Sequence, residues 1–385
     1  CFLTARKACF DSAGKPPKPQ AFTTPLVLTT TPGHFFQFRH VMIWRAASTV
    51  GSSQNSCVNT GFPRKKPMKP QSIWPTGWLR KLIDYKLLIL KFLRIKKFSY
   101  YRKKFDLMTL LTEKQEDQFK DQGFLILKNL FDEEEIKLLK ESAIFDKELD
   151  KQSVSRLDGN GKKVRLALWN HPGDGIYGMF ARCNKLVDKM EQILEGEVYH
   201  YHSKMILKDP EIGGAWEWHQ DYGYWYNFGC LQPLMASAMI AVDQATEENG
   251  CLQVLMGSHH LGRIDHTLTG DQAGADRERV DIALQRFDRI HVKLNPGDVI
   301  LFHCNLLHRS DQNSSKNARW AMICCYNAAR NNPFKDSIHP QYTPLNKVPD
   351  CSIKKVGVRR FENSGDVNWM NQNQNRNILN KAMTS

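Results

Sequence analysis

Between Val198 and Asn327 the chain breaks into six short apolar runs: Val198–Leu207, Pro233–Val242, Cys251–Met256, His291–Leu294, Asp298–His303 and Trp320–Asn327. Turn chemistry such as Asn249-Gly250 and Pro296-Gly297 separates them, so each reads as a strand in a sheet that doubles back on itself. Helix signals precede them. Thr112 and Gln115 form a capping box over a short helix ending at Gly123, and Phe124–Lys128 follows as a strand. Asp132, with Glu135 three residues on, caps a second helix over Glu133–Ser142, and Asp158-Gly159-Asn160-Gly161 reads as a turn. An amphipathic helix is expected over Ile176–Leu194, stopping at Gly196. Helices first and many strands later specify a mainly β (α+β) fold: a β-sandwich or jelly roll with flanking N-terminal helices. No internal repeat is evident.

Charge divides the chain more sharply than length does. Of 54 Lys and Arg and 40 Asp and Glu, residues 1–105 hold 20 and 2, leaving 34 basic and 38 acidic residues in 106–385. The net charge of +14 therefore belongs to the N-terminal quarter. Three segments are expected: a basic, low-acid segment 1–105 of disordered or targeting-like character, a catalytic domain 106–345, and a polar tail 346–385 that includes the Asn/Gln-rich run Asn371–Asn377. The apolar stretch Leu82–Phe98 is interrupted by Asp84, Lys86, Lys91, Arg94, Lys96 and Lys97, so it does not span a membrane. Residues 78–104 could still make weak peripheral contact with an anionic membrane surface. No aromatic platform or groove-reading helix accompanies the basic cluster, so specific nucleic-acid binding is not expected. The ten cysteines form no CxxC pair, and Cys251, Cys304, Cys324 and Cys325 lie inside apolar runs. That usage fits a reducing intracellular compartment, the cytoplasm first. The scarcity of acids in residues 1–75 resembles a transit peptide and keeps a mitochondrial or peroxisomal address open. The chain opens on Cys1 rather than Met, as a fragment or an uncertain gene start would.

The chemistry concentrates in two pieces. Trp218-His219-Gln220-Asp221 places an imidazole and a carboxylate at i and i+2, on one face of a strand. The second piece runs from Asn295 to His308 and is followed eleven positions later by Arg319. Two histidines and one carboxylate are the donor set of a facial triad that holds Fe(II) and leaves positions open. A fixed guanidinium beyond the last histidine suits the far end of a dicarboxylate co-substrate. Those residues point to a non-haem iron oxygenase.

Several further pieces occur in order. They are Leu111-Thr112-x-x-Gln115, Phe119-x-x-x-Gly123-Phe124, Glu134-Glu135-Ile136-x-x-Leu139, Asn249-Gly250-Cys251-Leu252, Gly257-Ser258-His259 and Pro296-Gly297-Asp298. With the His219, Asp221, His308 and Arg319 pieces, they resemble the phytanoyl-CoA dioxygenase family from about 111 to 330. The resemblance implies a double-stranded β-helix (jelly-roll, cupin-like) core and dependence on Fe(II), 2-oxoglutarate and O₂. It implies hydroxylation of an unactivated C–H bond in a small-molecule or lipid-derived substrate, with release of succinate and CO₂. His219, Asp221 and His308 match the iron ligands. Arg319 and Ser310 match the groups that hold the 5-carboxylate of 2-oxoglutarate, and Lys204 matches a position that approaches the co-substrate. Asp221 also keeps the carboxylate that halogenating relatives lack. Met256 departs from the proline that usually precedes the Gly-Ser-His turn.

Each residue has a plainer alternative. His303 competes with His308 as distal ligand, but inside its apolar strand it reads as a core histidine. Arg319 could pair with an acid such as Asp298. The run Tyr222–Phe228 could shape a substrate pocket or simply pack a loop, and His259 and His260 read as structural. Two rival functions remain: a catalytically silent binding or regulatory protein on the same fold, and a basic binding protein acting through residues 1–105. The intact triad and Arg319 argue against the first.

Overall fold

The computed structural model describes residues 110–269, 272–357 and 368–370. The basic segment 1–105, its expected membrane-surface stretch 78–104 and the run 371–377 lie outside the described residues. Among the described residues thirteen strands run in chain order: β1 Phe124–Leu127, β2 Val154–Leu157, β3 Lys163–Trp169, β4 Val198–Lys208, β5 Trp216–His219, β6 Met235–Ala241, β7 Leu252–Leu255, β8 His266–Thr269, β9 Gln272–Ala275, β10 Arg289–Val292, β11 Val299–His303, β12 His308–Ser310 and β13 Arg319–Ala328. A seven-stranded sheet has the order β1-β11-β6-β13-β4-β3-β2, a four-stranded sheet the order β10-β7-β12-β5, and β8 pairs with β9. Every pairing between these strands is antiparallel.

The central strands of the large sheet, β6, β11 and β13, are buried on both faces, which is why they read as largely apolar runs. On one face Ala238, Ile240, Leu301, Met322 and Cys324 join a core with Leu139, Phe180, Leu186 and Met190 of the helices. On the other, Met239, Ile300, Phe302 and Ile323 meet Leu252 and Val254 of the small sheet. All seven residues of β6 are buried. Burying a side chain the size of Leu, Ile, Phe or Met stabilises by about 1.5–3 kcal/mol, so this sheet carries most of the core. The layers are a jelly roll with helices against its larger sheet.

The expected caps form as read. Thr112 and Gln115 make a capping box on the helix Glu113–Gln122, which ends on Gly123 in the left-handed region (φ 79°). Asp132 and Glu135 do the same for Glu133–Phe145, three residues longer than the sequence suggests. The helix expected over Ile176–Leu194 is two helices, Ile176–Arg182 and Asn184–Ile193. Cys183 between them is extended and bridges Val348, with Asn184 N–H donating to the Val348 carbonyl (3.1 Å) and Val348 N–H to that of Arg182 (2.9 Å). A distant segment thus claims the backbone groups that a continuous helix would use itself.

The described residues beyond 345 pack on this body. The helix Ser352–Gly357 buries Ile353 in the helical core, and Trp369 meets Trp169 edge-on at 5.3 Å. All seven described cysteines are free, and six are buried. No described helix is long and apolar enough to cross a membrane.

Candidate active site

The site forms where β5 and β12 pair inside the small sheet. His308 stands directly opposite His219 in the register, so both rings project from one face, with centroids 4.0 Å apart. β5 ends at His219, yet Gln220 keeps an extended backbone (φ −116°, ψ 135°) before the helix Asp221–Trp225 begins. The two-residue alternation therefore carries through, and Asp221 returns to the same face. Gln220, pointing the opposite way and fully buried, locks the turn. Its amide donates to the carbonyls of Asn305 (2.7 Å) and Gly262 (2.8 Å) and accepts from Ile264 N–H (2.7 Å).

One donor atom each from His219, Asp221 and His308 lies within 4.8 Å of the others, and all three residues are buried. Nδ1 of His219 lies 2.8 Å from the Glu217 carbonyl and Nδ1 of His308 2.8 Å from that of Leu306. A carbonyl only accepts, so each Nδ1 carries the proton and each Nε2 keeps a lone pair for the site. Burial holds both imidazoles neutral by lowering their pKa values. At His219 the neighbouring His308 and Lys204 add to this, while at His308 the Asp221 carboxylate opposes it. Ser237 Oγ donates to one oxygen of Asp221 (2.9 Å), and Lys204 Nζ sits 3.7 Å from the other. Burial alone would lower the Lys204 pKa, but Asp221 outweighs it and the net shift is upward. Two neutral nitrogens and an oriented carboxylate converging on one point fit a divalent iron centre with open positions.

Arg319 opens β13 opposite Lys208 of β4. Its guanidinium is buried, which brings its pKa down to about 10. One N–H donates to the Gly250 carbonyl (2.7 Å), whereas Nε has no partner among the described residues. Asp298, the sequence alternative, instead pairs with Lys128 at 2.9 Å. Gly250 adopts φ 73°, and a Cβ there would meet the Asp311 carbonyl oxygen at 2.2 Å. The close turn that supplies the Arg319 acceptor therefore requires glycine.

A cavity of about 140 Å³ joins these groups, its walls including the triad, Lys204, Ser310 and Arg319. His303 is not among them. It closes the turn after β11, its Nδ1 accepting from Asn305 N–H (3.0 Å), with its ring 5.3 Å from His259. His259 in turn sits 3.0 Å from the Lys120 carbonyl through Nε2. The aromatic run divides: Tyr224, Trp225 and Phe228 line the cavity, while the Tyr222 hydroxyl donates to the Cys230 carbonyl and Tyr226 lies under Arg263. Sequence reasoning missed Lys208, His202 and His339, which also face the cavity. For Lys208 a signal existed, since it lies four residues from Lys204 on the same strand face.

Residues 119–321 match the family model for phytanoyl-CoA dioxygenase (PhyH). L-proline trans-4-hydroxylase of Streptomyces griseoviridis is 31% identical over 205 residues, covering 49% of this chain and 75% of that protein. The ectoine dioxygenase of Bordetella parapertussis is 27% identical, covering 60% and 80%. The crystal structure of apo EctD from S. alaskensis superposes with a TM-score of 0.53 at 22% identity, over 62% of this chain and 89% of that one. That superposition places the fold among cupin-like jelly rolls. More narrowly, the chain belongs to the phytanoyl-CoA dioxygenase family of Fe(II)- and 2-oxoglutarate-dependent dioxygenases.

Proposed function

We propose that this chain hydroxylates an unactivated C–H bond of a small molecule, with His219, Asp221 and His308 holding the iron. The observation that carries the reading is the convergence of three buried donors whose second hydrogen bonds already fix their orientation. When bound, iron and 2-oxoglutarate supply O₂ activation, with release of succinate and CO₂. The protein's own groups set the geometry around them. Arg319, with its unpartnered Nε, and Ser310 on β12 would hold the distal carboxylate of 2-oxoglutarate. Lys204 would steady Asp221 and face the co-substrate from β4. Tyr224, Trp225 and Phe228 would exclude water from the reacting carbon.

Two of the relatives act on ectoine and L-proline by name and are more similar to this chain than a relative named phytanoyl-CoA dioxygenase, 25% identical, which favours a compact polar substrate over a long acyl thioester. The test is succinate formation from 2-oxoglutarate by the purified chain. The reading expects release that requires both Fe(II) and O₂ and is abolished in His308→Ala. Failure of the folded wild type to release succinate would favour a catalytically silent binding protein instead.

A further inference from the structure

β4 measures out the cavity. From one end to the other its inward residues are Lys208, Ile206, Lys204 and His202, paired in register with Arg319, Ala321, Ile323 and Cys325 of β13. Lys208 lies at the Arg319 end and Lys204 at Asp221. His202 stands a further strand alternation on, roughly 6.5 Å along β4, on the side of the triad away from Arg319. Strict alternation from Tyr199 and Tyr201, which pack into the inter-sheet core, would turn His202 towards the helices. A register shift prevents this: Cys325 pairs with His202 and Tyr326 with His200, leaving Tyr201 unpaired. This bulge aims two successive side chains inward.

His202 meets a second histidine there. His339, from the segment after β13, stacks on His202 at 4.9 Å and on Tyr201 at 4.6 Å, with Phe228 edge-on at 4.9 Å. The two histidines are 3% and 7% exposed, both line the cavity, and Nδ1 of each is buried without a partner among the described residues. Buried polar groups are ordinarily satisfied, so a pair left open beside a cavity awaits a ligand. The charge of the cavity indicates its kind. Lys204, Lys208 and Arg319 face it against the single carboxylate of Asp221, while Arg309 is paired with Asp311 at 2.5 Å. These charges balance one dicarboxylate at the Arg319 end, so a divalent metal at the triad would leave positive charge in excess.

We propose that His202 and His339 form the substrate-docking subsite and that the substrate is a small carboxylic acid whose carboxylate accepts hydrogen bonds from these imidazoles. This rests on the hydroxylase reading and narrows its substrate class. Lys204, whose charge acts on both rings, reinforces the attraction. The apolar remainder of the acid would lie along Trp225, Phe228 and Met239.

The test is saturation-transfer NMR of the full chain, loaded with diamagnetic Zn(II) in place of iron and with 2-oxoglutarate. Its probes are a panel of short-chain carboxylic and α-amino acids and their methyl esters. The wild type should bind members of the acid panel and not the matching esters. His202→Phe and His339→Phe, which keep the ring stack and remove its N–H groups, should weaken binding about 10-fold or more. His202→Asn and His339→Asn, which keep a donor, should recover part of it. Equal binding of acid and ester, wild-type affinity in the Phe variants, or no acid bound would each overturn the proposal. Should the Phe variants fail to fold, the acid–ester comparison on the wild type decides alone. Succinate release by the wild type, measured separately, distinguishes failure of this subsite from failure of the hydroxylase reading.

Discussion

Asp221 shows how much a single side chain depends on its neighbours here. Its two oxygens face different groups, Ser237 Oγ at 2.9 Å and Lys204 Nζ at 3.7 Å, which leaves little freedom for the carboxylate to turn. Partners of this kind are worth about 10–100-fold in metal affinity. Ser237→Ala should therefore weaken Fe(II) binding about 10-fold in a calorimetric titration, with little change in melting temperature; unchanged affinity would mean that Asp221 holds its orientation without the hydroxyl. Arg319 was legible as a buried cation at a strand start, and its partner was not. The acceptor is the backbone carbonyl of Gly250, which no residue-type argument could select from the sequence. The histidine pair was illegible for a related reason: His202 and His339 are 137 positions apart, and a bulge aims the first of them.

The elements divide by how local their causes are. Caps are local, and both capping boxes form at the residues that announce them. Asp132→Ala removes the side chain that accepts from Glu135 N–H (2.9 Å) and also pairs with Lys354 at the same distance. It should cost about 1 kcal/mol, read as a lower midpoint in urea with the slope unchanged. Five of the six expected strands are present because burial on both faces favours apolar residues; the sixth, expected over His291–Leu294, forms instead as Arg289–Val292 with only Val292 buried. The hairpin β8–β9 and the strands β2 and β3 escaped notice. β2 mixes exposed and buried residues over only four positions, and β8 is equally short, too few to establish a period. The break at Cys183 carries no glycine or proline, since its cause is the bridge to Val348. Gly223, the third residue of the helix that starts at Asp221, permits a close approach: a Cβ there would fall 2.0 Å from the His266 ring. Gly223→Ala should shift that helix, destabilise the chain by about 1–3 kcal/mol and weaken iron binding with it. A variant with wild-type stability would show that the contact relaxes freely.

Across the whole molecule, buried neutral histidines couple stability to pH. Burial first of all brings His200 and His339 down to about 3, and His266 and His303 down to about 4. Unfolded, each returns to about 6.5, so the unfolded chain binds more protons between those values. Stability is then fully present above pH ~6.5 and declines as pH falls towards ~4, by up to about 1.4 kcal/mol per pH unit for each histidine. Urea midpoints of the metal-free protein should drop through that window, and less steeply in His266→Gln. A flat profile would mean that these rings are charged in the folded state. The jelly roll and its flanking helices were largely readable from the alternation of apolar runs and turns, whereas the strand order was not. The cavity's two-ended layout emerged only when the sheets were superposed, because register decides which residues of β4 face inward.

The central claim is that His219, Asp221 and His308, with Arg319 behind them, hold iron and 2-oxoglutarate together. The most direct measurement is an anaerobic titration of the full chain with Fe(II) and 2-oxoglutarate, following the visible metal-to-ligand charge-transfer absorption. The account predicts a band in the wild type, kept in His303→Ala, lost in His308→Ala, and saturating only at about 10-fold or more higher 2-oxoglutarate in Arg319→Ala. A folded wild-type protein with no band, or a band that survives His308→Ala and disappears in His303→Ala, would contradict it.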